Sequence, residues 1–215
     1  MKISKEGTGT IVLVNIFVSL CIISLIFVNN PVWFWLLMPL LAIEFLVIYF
    51  FRDPERMIPA GLNEIVSPAD GKVVLIKDVR EDVFLKADAV QISIFLSVFN
   101  VHVNRIPISG VIRYFQHKQG AFLAAFNHEA SVKNEQTIIG VESEKGKVLF
   151  KQIAGLLARR IVFDNKPDET VIKGNRCGII KFGSRVDVIV QKNVDIKVQV
   201  GDKVTGGETI LGIIR

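Results

Sequence analysis

Two long apolar runs near the start of the chain limit its architecture more than any other feature. Thr10 to Val28 contains no charged residue, and Val32 to Phe51 contains only Glu44. Each run approaches the roughly 20 residues a helix needs to cross the hydrocarbon core. The connection Asn29-Asn30-Pro31 is short and polar, so the two runs read as a helical hairpin with both ends on one side of a bilayer. Lys2 and Lys5 precede the first run, Arg52 and Arg56 follow the second, and the connection carries no charge. Both ends are therefore expected on the cytoplasmic face. A single span with an interfacial helix is the alternative. A cleavable signal peptide is not expected, because the Asn-Asn-Pro junction leads into a second apolar run without a small-residue cleavage site. Glu44 is costly in lipid, so it is expected to snorkel or be neutral, or else to face a helix or water.

The remaining length suits one soluble domain, giving a membrane anchor over 1–58 and a catalytic-sized domain over 59–215. The formal net charge of +5 and pI near 9.2 fit a surface held beside anionic lipid headgroups, where each Lys or Arg contributes about 1 kcal/mol. Nucleic acid is not an expected partner, since no basic run is interleaved with aromatics. Cys21 lies in the first apolar run and Cys177 far beyond it, which argues against a disulfide framework. No CxxC or His-rich cluster has zinc spacing, so no metal is expected.

Beyond Pro59 the sequence turns to short β-rich runs broken by Gly, Asp, Asn and Pro. Lys72–Lys77, Val90–Leu96, Val111–Phe115, Thr137–Val141, Lys147–Ile153, Cys177–Phe182, Arg185–Val190 and Asp195–Val200 are expected strands. Helix is expected only over Ala121–His128 and Leu156–Arg160. The fold class is mostly β, a sandwich or barrel. Ser67-Pro68-Ala69-Asp70-Gly71-Lys72-Val73-Val74 and the Val198 to Gly212 segment both resemble the turn-and-strand pattern of lipoyl and biotinyl carrier barrels. That likeness concerns fold alone.

Five motifs follow one another: Phe51-Arg52-Asp53-Pro54-Glu55-Arg56; Ser67-Pro68-Ala69-Asp70-Gly71-Lys72; Val101-His102-Val103-Asn104-Arg105-Ile106-Pro107; Gln152-Ile153-Ala154-Gly155 leading to Ala158-Arg159-Arg160; and Phe182-Gly183-Ser184-Arg185. A Gly-Ser step alone is usually a turn or strand kink. In this order and at these intervals, the set resembles the short form of phosphatidylserine decarboxylase from about Phe51 to Val190. The resemblance implies self-cleavage between Gly183 and Ser184, conversion of Ser184 to a pyruvoyl group, and alpha and beta chains from one precursor. Phosphatidylserine in a membrane is then the substrate, with no external cofactor. A hydroxyl nucleophile needs a positioned base, and the three histidines are His102, His117 and His128. His102 is favoured by its motif, with Asp70 to orient it, although an Asp before Gly ordinarily forms a turn. Longer family members carry a second histidine where this chain has Arg105, so either His102 serves both maturation and turnover or Arg105 and a water share the task.

Arg159 and Arg160 are candidate substrate-binding residues, since a guanidinium fork suits phosphate or carboxylate; a solvated face is the other use of such a pair. Asn134-Glu135 is expected to be structural. Phe122 and Phe126 share a helical face that suits either the lipid interface or the core. Two rivals stay open: a membrane-tethered, non-catalytic barrel of lipoyl or biotinyl type, and a decarboxylase of a related aminophospholipid. The oligomeric state is open, with a homo-oligomer among the alternatives.

Overall fold

A computed structural model describes residues 2–28, 30–121, 133–155, 161–180 and 183–215, and the chain divides into two compact units, Met1–Glu55 and Arg56–Arg215. In the first, strand β1 (Lys2–Ile3) leads through a short 3-10 turn (Lys5–Gly7) into α1 (Thr8–Val28), followed by α2 (Val32–Phe50) and β2 (Arg52–Asp53). The two helices pack on each other, and both are long and apolar enough to cross a membrane. Their remaining faces carry Ile, Leu, Phe and Trp in the open; Trp35 is 73% exposed. A helix apolar on every side belongs in a large core or in lipid, and protein covers little of these two.

The hairpin is tied at its open end. β1 pairs antiparallel with β2, setting Lys2 opposite Asp53 and Ile3 opposite Arg52. Ser4 N–H donates to the Phe51 carbonyl at 2.9 Å, and Lys2 Nζ meets Glu55 Oε1 at 2.6 Å. The Arg52 guanidinium lies 3.8 Å from the centre of the Tyr49 ring, a cation–π contact.

The second unit is built from β3 (Glu64–Val66), β4 (Gly71–Glu81), β5 (Ala87–Leu96), β6 (Val103–Arg105), β7 (Gly110–Lys118), β8 (Gln136–Ser143), β9 (Gly146–Ala154), β10 (Ile161–Phe163), β11 (Thr170–Val171), β12 (Arg176–Ile180), β13 (Ser184–Gln191), β14 (Val194–Ile196), β15 (Lys203–Val204) and β16 (Ile210–Ile214). Eight strands form one curled antiparallel sheet in the order β11-β7-β8-β9-β13-β5-β4-β15, and two three-stranded sheets, β10-β12-β6 and β14-β16-β3, complete the unit.

Strand alternation explains the core. Ile92, Ile94 and Leu96 of β5, Val148 and Phe150 of β9, and Val186, Val188 and Val190 of β13 point to one face and form the main cluster, as a period of two requires. Ala89, Leu149 and Ile189 point to the other face and join Leu85 and Ile138 in a smaller cluster.

The long strands fall where alternation predicts them, with longer ends. β3, β6, β10 and β11 were not expected, because runs of two or three residues hold too little alternation and exist through their partners, whereas β15 and the start of β16 fall on the Val198 to Gly212 turn-and-strand segment. The expected strand Asp195–Val200 shortens to β14. The two Gly-Lys turns resembling carrier barrels do meet: Lys203 stands opposite Lys72, and Val204 opposite Gly71. The expected helices Ala121–His128 and Leu156–Arg160 lie outside the described residues, save Ala121, which bridges to Asn134.

Candidate active site

Ser184 opens β13 in the middle of the large sheet, with Leu96 opposite on β5 and Ala154 opposite on β9. Alternation places it on the face of Val186, toward the main core. Ser184 is fully buried, and its Oγ has no hydrogen-bond partner among the described residues. Stranding a buried hydroxyl costs about 1–3 kcal/mol, a cost that alanine would avoid. Gly183 has φ +59°, and a Cβ there would meet nothing within 4 Å among the described residues. The left-handed backbone, not lack of space, makes glycine the favoured residue.

His102 reaches the same end of the unit by two short connections. β5 ends at Leu96, opposite Ser184, and the chain turns through Ser97–Asn100, where the Ser97 N–H and Oγ–H donate to Asn100 Oδ1 at 2.9 and 2.8 Å. From the other side, β12 sets Ile179 opposite Val103 and ends at Ile180, four residues before Ser184. His102 is fully buried, with Nδ1 2.9 Å from the Asn100 carbonyl. A carbonyl only accepts, so Nδ1 carries the proton and Nε2 is the ring nitrogen able to take another.

Asp70 sits in the turn before β4. One oxygen lies 2.7 Å and the other 3.0 Å from Arg56 Nη2, and Oδ1 also accepts from Gly206 N–H at 2.7 Å. The turn docks on the histidine strand, where Arg105 N–H donates to the Pro68 carbonyl at 2.8 Å. The structure thus brings the Asp70 turn to the His102 strand while giving the carboxylate to Arg56 and Gly206. Arg105 itself is buried, donates from Nη1 to the Gly174 carbonyl at 2.8 Å and lies close against Gly207.

Asn134, expected to be structural, donates from Nδ2 to the Ala154 carbonyl at 2.7 Å. Ala154 N–H donates in turn to the Glu135 carbonyl at 2.9 Å, so this pair fixes the strand end beside Ser184. His117 is half-exposed, 3.7 Å from Glu135. Arg159, Arg160, Phe122, Phe126 and His128 lie outside the described residues. Cys177 is buried, which pushes its thiol pKa well up and leaves it no nucleophile.

Three features of the site carry no site role in the sequence pattern. Arg56 is the partner of Asp70, although its motif gives no sign of which acid it meets. On the face opposite Ser184, Arg185 Nε donates to Asp187 Oδ1 at 2.6 Å and Arg185 Nη2 to Ser93 Oγ at 2.7 Å, while Gln91 Nε2 donates to Asp187 Oδ2 at 3.0 Å. The signal for this network was present: two charges alternate with valine in Arg185-Val186-Asp187-Val188, where a half-buried strand would show them to water. Third, Gln152 Nε2 donates to Asn104 Oδ1 at 2.8 Å across the core. Both residues belong to the quoted motifs, yet nothing in the sequence pairs them.

The residue arrangement fits conversion of Ser184 to a pyruvoyl group. That change removes the hydroxyl, which breaks no hydrogen bond to the described residues. Leu96 and Ala154, opposite Ser184 on the neighbouring strands, are apolar and would suit the methyl of the pyruvoyl group.

A family model described as phosphatidylserine decarboxylase matches residues 43–212. Over 212 residues the chain is 42% identical to a phosphatidylserine decarboxylase proenzyme of Chlorobaculum tepidum, covering 99% of this chain and 98% of that protein. It is 42% identical over 214 residues to the protein so named in Chlorobaculum parvum, covering 100% of both. A third so named, from Amoebophilus asiaticus, is 50% identical over 169 residues, or 78% of this chain and 75% of that one. With its model spanning most of the chain and these relatives matching along nearly all of it, this protein belongs to the phosphatidylserine decarboxylase family.

Proposed function

We propose that this protein is a carboxy-lyase that decarboxylates phosphatidylserine to phosphatidylethanolamine, and that it matures by cutting itself between Gly183 and Ser184. The observation that carries this reading is the buried Ser184 Oγ, which has no hydrogen-bond partner among the described residues, directly after a left-handed glycine. In maturation, Ser184 Oγ attacks the Gly183 carbonyl carbon and His102 Nε2 takes the hydroxyl proton, moving the acyl group from nitrogen to oxygen. Loss of the Ser184 α-hydrogen then breaks the Cβ–O bond, leaving Gly183 as a carboxyl end. Addition of water and loss of ammonia complete the new end of the second chain. Asp70 and Arg56 hold the turn that supports the His102 strand. The beta chain is 1–183 and the alpha chain 184–215.

The pyruvoyl group supplies a carbonyl conjugated with an amide, an electron sink for the pair left when the carboxylate departs as carbon dioxide. His102 is proposed to return a proton to the substrate α-carbon. Arg159 and Arg160 are proposed to bind the headgroup. The apolar hairpin is proposed to span the membrane with the catalytic unit on its cytoplasmic face, which gives access to a substrate that stays in the bilayer. The meeting of the Lys72 and Lys203 strands favours a closure like that of lipoyl and biotinyl barrels. The test is release of labelled carbon dioxide from carboxyl-labelled phosphatidylserine in detergent micelles. The expected result is release by the natural chain and none by Ser184→Ala; equal release by both would overturn the assignment.

A further inference from the structure

The main core holds a second unexplained polar feature on the same face as Ser184. Gln152 stands opposite Val186, in the row next to the Ala154–Ser184 pair, and side chains at such diagonal positions are within reach of one another. Asn104 meets it from the facing sheet. Both residues are fully buried. Among the described residues, Asn104 Nδ2 and Gln152 Oε1 have no hydrogen-bond partner. An amide pair joined by one hydrogen bond always leaves a donor on one member and an acceptor on the other, whichever way the two amides are turned. Buried polar atoms without partners are uncommon and call for a reason.

We propose that Asn104 and Gln152 form the subsite for the amino-acid end of the substrate headgroup, the open N–H donor taking the α-carboxylate and the open carbonyl taking the α-ammonium. This rests on the decarboxylase reading above. With Gln152 Nε2 donating to Asn104 Oδ1, the open acceptor is on Gln152, in the row beside residue 184, where the substrate amine must arrive. A neutral donor also suits the chemistry. The carboxylate loses its charge as carbon dioxide forms, so a cation beside it would bind the ground state more strongly than the transition state and slow the step. An amide orients the carboxylate with less of that penalty.

The test uses the full-length mature protein in detergent, its two-chain state checked first by intact mass, with the reactive carbonyl reduced by borohydride so that binding is read without turnover. Calorimetry compares short-chain phosphatidylserine with phosphatidylethanolamine of the same chains, which differs by the carboxylate alone. The natural pair should favour phosphatidylserine by about tenfold or more, the usual size of a hydrogen bond to a charged group. The double variant Asn104→Leu/Gln152→Met removes both polar partners together, a change that is nearly neutral for stability; it should still cleave, and its preference should fall to about one. If that variant does not fold, Asn104→Asp replaces the donor by an acceptor and should likewise abolish the preference. A variant that keeps the full preference, or a natural protein that shows none, overturns the subsite. A chain that never appears as two pieces, or that releases no carbon dioxide, refutes the decarboxylase reading instead.

Discussion

Replacing Asp187 tests whether the strand that begins at Ser184 is anchored by a buried ion pair. Arg185 and Asp187 are paired at 2.6 Å with side chains only 2% and 1% exposed. Asp187→Ala removes the acceptor for Arg185 Nε and for Gln91 Nε2, and leaves a guanidinium in the protein interior with Ser93 Oγ as its remaining partner among the described residues. Breaking one half of such a pair costs about 3–5 kcal/mol, against about 0–1 kcal/mol for an exposed pair. Both tryptophans, Trp33 and Trp35, lie in α2, so fluorescence would report the wrong unit. Amide hydrogen exchange of peptides from β5, β9 and β13 reads the right one. A Ser184→Ala background keeps the chain whole and the comparison between single molecules. Protection in these strands should drop by about two to nearly four orders of magnitude, at 1.36 kcal/mol per tenfold. Arg185→Met with Asp187→Leu should recover most of the loss, because an apolar pair of similar size leaves no charge stranded. A loss below about 1 kcal/mol for Asp187→Ala would show that Arg185 finds water, and the network would not anchor the strand.

Three further outcomes are expected. Gly183→Ala, forced to φ +59°, should cost about 1–2 kcal/mol at the cleavage junction and slow the appearance of two chains on a gel; an unchanged rate would show that the turn relaxes freely. Burial holds the Lys151 pKa below its ordinary value of 10.5, so the unfolded chain binds more protons between the lowered pKa and 10.5, and stability rises with pH across that window. Lys151→Met in the Ser184→Ala background should flatten that rise, and an unchanged slope in alkaline unfolding curves would refute the burial argument. His102→Ala should slow self-cleavage, carbon dioxide release or both; if neither rate moves, His102 is not the base.

The features that were legible in the sequence are those carried by a local pattern. The apolar helices needed only length and absence of charge, and β4, β5, β7, β8, β9 and β13 announced themselves by alternation. Strands such as β6 could not, since Val103-Asn104-Arg105 is polar in the middle and becomes a strand only by pairing with β12. The site divides in the same way. Ser184, Gly183, His102 and Asp70 stood out as motif residues, and the structure gathers His102 and Ser184 at one end of the unit. The partner of Asp70 was not legible, because Arg56 lies 14 positions away in a motif with several charges. The Asn104–Gln152 contact spans 48 positions and depends on how two sheets face each other, which no local pattern encodes.

Self-processing at Ser184 is read most directly from the intact mass of the purified full-length protein in detergent. Two chains are expected in place of one of 24.0 kDa, split after Gly183, the smaller lacking a free amine and lighter by one ammonia than a chain beginning with serine. A single uncut chain after prolonged incubation of folded protein, or a smaller chain beginning with an intact serine, would contradict this expectation.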